Sequence, residues 1–323
     1  MTSRRQCAPG GLDPAVPVFY RMLDGSDETC RELRRINAET GLRRFLLCAP
    51  CFNDVMFGPF PDNLYDRIGE DVAAVKRGLA DTDIEISWWC TPSIRYFSGF
   101  APIEDSAGNK SQDNKKCPLD ESFAADFAAK VQSVAKAHPA MICIEDDFSL
   151  AWGRGLADGA CFCPRHLAAF AERYGRALPA AEIADAFRNR TPENLPVRRA
   201  FADTVRESLV SLARNVRAAV DEVDPSIRIL VCEPGGAVKD GDALEAVARA
   251  FAGGTRPAVR PCGAIYGIAC GSNRPGSGTG VSTFGGFRTT PFRASSRSRK
   301  ARMASGSSLT RETMPSTPRR NNS

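Results

Sequence analysis

The stretch IEDDFSLAWGRGLADGACFCPRH, residues 144–166, carries two sets of groups able to do chemistry. Glu145, Asp146 and Asp147 are three consecutive carboxylates. Crowding of this kind raises the proton affinity of one member, which suits it to general-acid work. Cys161, Cys163 and His166 follow in a C-x-C-x-x-H spacing, and thiolate with imidazole is a donor set that suits zinc. A structural zinc takes four ligands, and Cys117 of the upstream CPLD is the candidate for the fourth. Without a metal, the same residues read as buried thiols and a surface histidine.

The local sequence explains how three donors could converge. Pro164 suits the first position of a helix, which puts Cys163 at the N-cap and His166 at the third helical position. A side chain there reaches back over the cap. Leu167, Phe170 and Tyr174 then share one helical face, and Gly175 is the stop. The helix dipole favours thiolates at such an end. The second histidine, His138, precedes Pro139 at a helix end and reads as a capping residue.

These groups need a frame, and short apolar runs alternate with longer helical patterns up to about residue 267. Strands are expected at 15–22, 44–50, 84–90, 140–145 and 227–234, with a sixth strand region at 256–267. Helices are expected at 27–40, 63–80, 121–137, 164–174, 180–188, 197–223 and 243–253. Phe123, Phe127, Val131 and Val134 mark the buried face of the third, with Asp120 as its N-cap. The fourth strand is apolar almost throughout, as a parallel strand covered on both faces should be. Strict βα alternation favours an α/β fold of the (β/α)8 TIM-barrel type, with about six βα units present, over a doubly wound sheet. No G-x-G-x-x-G follows a strand, so the dinucleotide-binding alternative lacks its marker.

In a barrel, the C-terminal strand ends hold the chemistry. The carboxylate triplet closes strand four there. Trp88, Trp89 and Arg95 around strand three, Asn53 and Asp54 after strand two, and Glu233 after strand five are candidate substrate-binding residues on the same end. Aromatics beside carboxylates suit a sugar ring. The two tryptophans point to opposite sides of their strand, so at most one lines the pocket.

Composition narrows the class. Residues 1–267 form the barrel domain, and 268–323 a basic, low-complexity tail. The tail has ten Lys and Arg against one acid, Glu312, for +9, whereas the body has 33 basic and 37 acidic residues, for −4. The body therefore offers no nucleic-acid surface. The tail reads either as disordered or as the product of a shifted reading frame that leaves the barrel incomplete. No window is apolar enough to span a membrane, and the N-terminus has no secretory h-region, so a cytoplasmic protein is expected. In a reducing compartment the twelve cysteines are not a disulfide framework. Cys48, Cys90, Cys143 and Cys232 lie in apolar runs and read as core. Nothing here sets the oligomeric state, and a homo-oligomer stays open.

The motifs IEDDF, CFCPRHLAAFAERYG and the lone upstream CPLD together resemble barrel glycoside hydrolases of the family-42 beta-galactosidase type, over roughly residues 15–267. The resemblance implies a retaining acid/base reaction on a beta-linked sugar. It also implies a structural zinc on Cys117, Cys161, Cys163 and His166, the histidine standing where the family has a last cysteine. The family's strand-four Asn-Glu pair falls on Asp146 and Asp147, which makes Asp147 the proton donor, with Asp146 and Glu145 in support. The family's nucleophile follows strand seven, and no residue of this sequence matches it. That departure leaves two readings open: an enzyme, or a barrel that binds carbohydrate or a partner without turnover.

Overall fold

The structure, a computed structural model, describes residues 15–19, 26–48, 62–91, 93–95, 99–111, 115–146, 148–150, 155–232 and 243–260. The tail reading at 268–323 lies outside them. Six strands alternate with eight helices among the described residues. The order is β1 (Ala15–Phe19), α1 (Ser26–Thr40), β2 (Arg44–Cys48), α2 (Leu64–Gly78), β3 (Glu85–Cys90), α3 (Glu121–Ala135) and β4 (Met141–Ile144). There follow α4 (Leu156–Gly159), α5 (Pro164–Tyr174), α6 (Ala180–Arg188), α7 (Leu195–Asp221), β5 (Arg228–Cys232), α8 (Ala243–Ala252) and β6 (Val259–Arg260).

The strands form one parallel sheet in the order β1-β2-β3-β4-β5-β6. Each strand pairs with the next in sequence, so the reversal that defines a doubly wound sheet is absent from these six strands. A parallel sheet that adds strands in one direction, with helices returning outside it, is the topology of a (β/α) barrel, here six strands of it. Each sequence-expected element is present, and outside the sixth strand region the ends match the expected ones or differ by one or two residues wherever the residues are described. The short helix α4 was not expected, because four residues show no period. Of the sixth strand region, Val259–Arg260 is strand, and residues from 261 lie outside the description.

Alternation along the strands sorts the side chains into two cores. On the helix side, Phe45, Leu47, Ile86, Trp88, Cys90, Ile142, Ile144, Ile229 and Val231 pack against α2, α3, α7 and α8. On the other side, Ala15, Leu46, Cys143, Leu230, Cys232 and Ala258 form a small separate cluster, with Trp89 and Met141 against it. The apolar stripe of α3 is buried as its spacing requires, with Phe123 and Phe127 stacked at 5.9 Å. Among the described residues no helix is long and apolar enough to cross a membrane.

Asp120 shows how the long loop after β3 is tied to this frame. Its carboxylate accepts from Ser122 N at 3.2 Å as the α3 N-cap and from Ala101 N at 2.7 Å. Asp120 is 6 % exposed, and its loss would leave two partly buried backbone donors without their acceptor. Asp120→Ala should therefore cost about 1–3 kcal/mol in urea unfolding, more than an exposed cap. A loss below about 0.5 kcal/mol would count against this double role.

Candidate metal centre and strand-end carboxylates

Cys117, Cys161, Cys163 and His166 come together, with their ligand atoms all within 4.8 Å of one another. Three segments deliver them. The loop after β3 folds back through short antiparallel bridges, Arg95 to Lys115 and Pro102 to Lys116. Cys117 N then donates to Ala101 O at 2.9 Å. Between the two later cysteines, Phe162 anchors the chain: its ring stacks on Phe201 of α7 at 4.6 Å, and its N–H donates to Glu104 O at 2.7 Å. Pro164 starts α5 with Cys163 in extended backbone at the N-cap, and His166 sits on the first turn, as the sequence predicted.

The donor set fits a metal ion. Cys117 and Cys163 Sγ lie 3.5 Å apart, and His166 Nδ1 lies 3.4 Å from Cys117 Sγ and 3.5 Å from Cys163 Sγ. Tetrahedral zinc with sulfur at about 2.3 Å needs S···S separations of roughly 3.8 Å, so little movement would seat it. None of the four is more than 3 % exposed. Without an ion, three thiols and an imidazole would share this buried space, and their protons divide unevenly. Burial, then contact with Cys117, raises the Cys161 thiol. Hydrogen bonds from Cys117 and Cys161 push the Cys163 thiol down.

The carboxylates occupy the C-terminal end of β4, some distance along the chain from this cluster. Glu145 is 5 % exposed and accepts from Thr91 Oγ1 and, at 2.6 Å, from Ser93 N. It clamps the end of β4 to the segment after β3. Asp146 differs: burial raises its carboxyl above the usual range, against the opposing charges of Arg260, Arg95 and Lys115. Those three cations are themselves buried. Lys115 donates to Ser149 O, which joins the loops after β3 and β4. Asp147, Asn53, Asp54 and Glu233 lie outside the described residues.

The two tryptophans separate as alternation demands. Trp88 is fully buried on the helix side, edge-on to Tyr65 of α2 at 5.8 Å. It is a core residue there, which corrects its place among the substrate-binding candidates. Trp89 faces the opposite side, where the Arg260 guanidinium lies 4.8 Å from its ring centroid. Arg95 is near the strand ends, buried, with its charge felt at Asp146. The sequence reading missed Thr91, Ser93, Lys115 and Arg260. An arginine within the apolar sixth-strand region was the one visible signal. Cys48, Cys90, Cys143 and Cys232 are buried free thiols, as expected from their apolar runs. His138 has a positive φ of 48° and sets Nδ1 3.3 Å from Asp224 Oδ2. Its carbonyl accepts from Lys76 Nζ of α2.

Among solved structures, the chain is similar to the beta-galactosidase from the psychrophilic Marinomonas ef1, with a TM-score of 0.47 and 15 % identity over 71 % of this chain. It is also similar to the beta-galactosidase from Bacillus circulans sp. alkalophilus, with a TM-score of 0.45 and 14 % identity over 77 % of this chain. It covers 39 % and 40 % of those two chains. Neither likeness assigns a role to a residue here. No family model and no curated protein matches the sequence.

Two expectations follow. Purified protein should carry one zinc per chain by elemental analysis; Cys161→Ser should lose it and Asp146→Asn should keep it. Equal zinc in wild type and Cys161→Ser would remove the cluster as the site. For Asp146, a raised folded pKa means that stability is highest with the group protonated. It is lost as pH rises from about 3.9, the unfolded value, through the raised folded value. Asp146→Asn should thus be more stable than wild type at pH 7, with the gap closing toward pH 4. Urea midpoints at the two pH values measure this, and a variant less stable than wild type at pH 7 would reverse the sign.

Proposed function

We propose that this chain is a glycoside-hydrolase-like (β/α) barrel protein that acts on a beta-linked sugar, braced by a structural zinc on Cys117, Cys161, Cys163 and His166. The observation that supports the reaction is the half-buried Asp146 carboxyl just beyond the C-terminal end of β4, raised above its usual range. A carboxyl with raised proton affinity is suited to protonating a leaving-group oxygen. By the resemblance, the adjacent Asp147 is the donor that reaches the glycosidic oxygen. Asp146 and the clamped Glu145 then set its position and charge. Arg260, held over Trp89, would offer hydrogen-bond donors to sugar hydroxyls.

A retaining mechanism also needs a nucleophilic carboxylate about 5 Å from the acid. The resemblance puts it after a seventh strand, a position outside the described residues. The four-donor cluster is complete without a substrate or water, which supports a structural role for the zinc. When bound, the ion would supply a fixed cross-link between the loop after β3 and the start of α5. The chemistry would stay with the carboxylates.

The full chain should release the aryl group from aryl beta-galactosides. Asp147→Ala should lower kcat about 100-fold or more, the range for loss of a general acid. Asp146→Ala should shift the acid limb of the pH profile. Sugar binding by calorimetry without any turnover would replace the enzyme reading with that of a carbohydrate-binding barrel. Neither binding nor turnover would overturn both.

A further inference from the structure

The metal cluster has a neighbour on a distant helix that its donor list does not include. His166 Nε2 lies 3.2 Å from Ser208 Oγ, on α7 and 42 residues away in sequence. Ser208 is 1 % exposed and sits on the buried face of α7 with Phe201, Val205, Leu209 and Leu212. That face carries a second hydroxyl, Thr204, whose Oγ1 donates to Ala200 O at 2.9 Å within the helix. Ser208 is also bonded within its helix, donating to Val205 O at 2.8 Å, but its oxygen meets the imidazole as well.

We propose that Ser208 is a positioning residue for the metal centre, one that fixes His166 in the tautomer that ligates through Nδ1. The inference rests on the zinc reading above. A serine hydroxyl has one proton, and Val205 O takes it, so toward His166 the oxygen accepts. Nε2 therefore carries the hydrogen, and a neutral imidazole then has its lone pair on Nδ1. That atom lies 3.4 Å and 3.5 Å from the Cys117 and Cys163 sulfurs. A ligating histidine is oriented by what its other ring nitrogen bonds, and here that partner is supplied by α7. The metal thereby joins α7, as well as the loop after β3 and α5, into one cross-linked unit.

The test is a two-by-two set of zinc affinities, read by competition with a chromogenic chelator. Ser208→Ala in the wild-type background should weaken zinc about 10- to 100-fold. In a His166→Cys background, where no imidazole needs orienting, Ser208→Ala should leave zinc affinity unchanged. Equal losses in both backgrounds would mean a general packing effect and would overturn the proposal. So would no loss in either. The chain has two histidines, so nitrogen-15 spectra of zinc-loaded wild type give an independent measure. They should show His166 protonated at Nε2 and metal-shifted at Nδ1, and the opposite tautomer would overturn the proposal even if His166→Cys fails to fold. Absence of stoichiometric zinc from the wild type would instead bring down the zinc reading, and this inference with it.

Discussion

A parallel strand is covered on both faces, and that constraint organises the rest of this molecule. Because every strand of the described sheet pairs with its successor, each helix must return on the same outer side. The outer faces of the strands then meet α2, α3, α7 and α8 in one large apolar core. The inner faces form their own small cluster. Trp88 and Trp89, adjacent in sequence, fall into different cores for this reason alone. The strand ends inherit the same division, and Glu145, Asp146, Thr91 and Ser93 gather just beyond the C-terminal ends of β3 and β4.

At that end, two neighbouring carboxylates are treated differently by their surroundings. Glu145 is bonded to Thr91 and Ser93, so its charge is spent in holding two loops together. At Asp146 the cost of burial outweighs a hydrogen bond from its own backbone N–H and the charges of Arg260, Arg95 and Lys115, so its carboxyl is raised. Adjacent acids are thus set apart by their environments, Glu145 as a clamp and Asp146 with its carboxyl raised.

The sulfur and imidazole cluster serves the same end of the sheet indirectly. It closes the long excursion after β3, which contains Arg95 and Lys115, against the start of α5. A loop of this length would lose much entropy on ordering, and a cross-link within it offsets part of that loss. Phe162 contributes the apolar half of the same junction through Phe201, and the Glu104 carbonyl the hydrogen-bonded half.

Some of this was determined by sequence alone, because its causes are local. The βα alternation, the buried stripe of α3, the Asp120 cap, the Pro164 start and the Gly175 stop of α5 all rest on residues within a few positions of one another. The C-x-C-x-x-H donors share that property, which is why three of the four could be placed on one helix end. Cys117 was a candidate from sequence, but bringing it beside the others needed the fold, as did recognising Ser208, since 49 and 42 residues separate these from His166. The clamp on Glu145 and the stacking of Arg260 on Trp89 are likewise contacts between different strands. Periodicity within one element reveals which face is buried, but only the strand register and helix packing decide what lies against it.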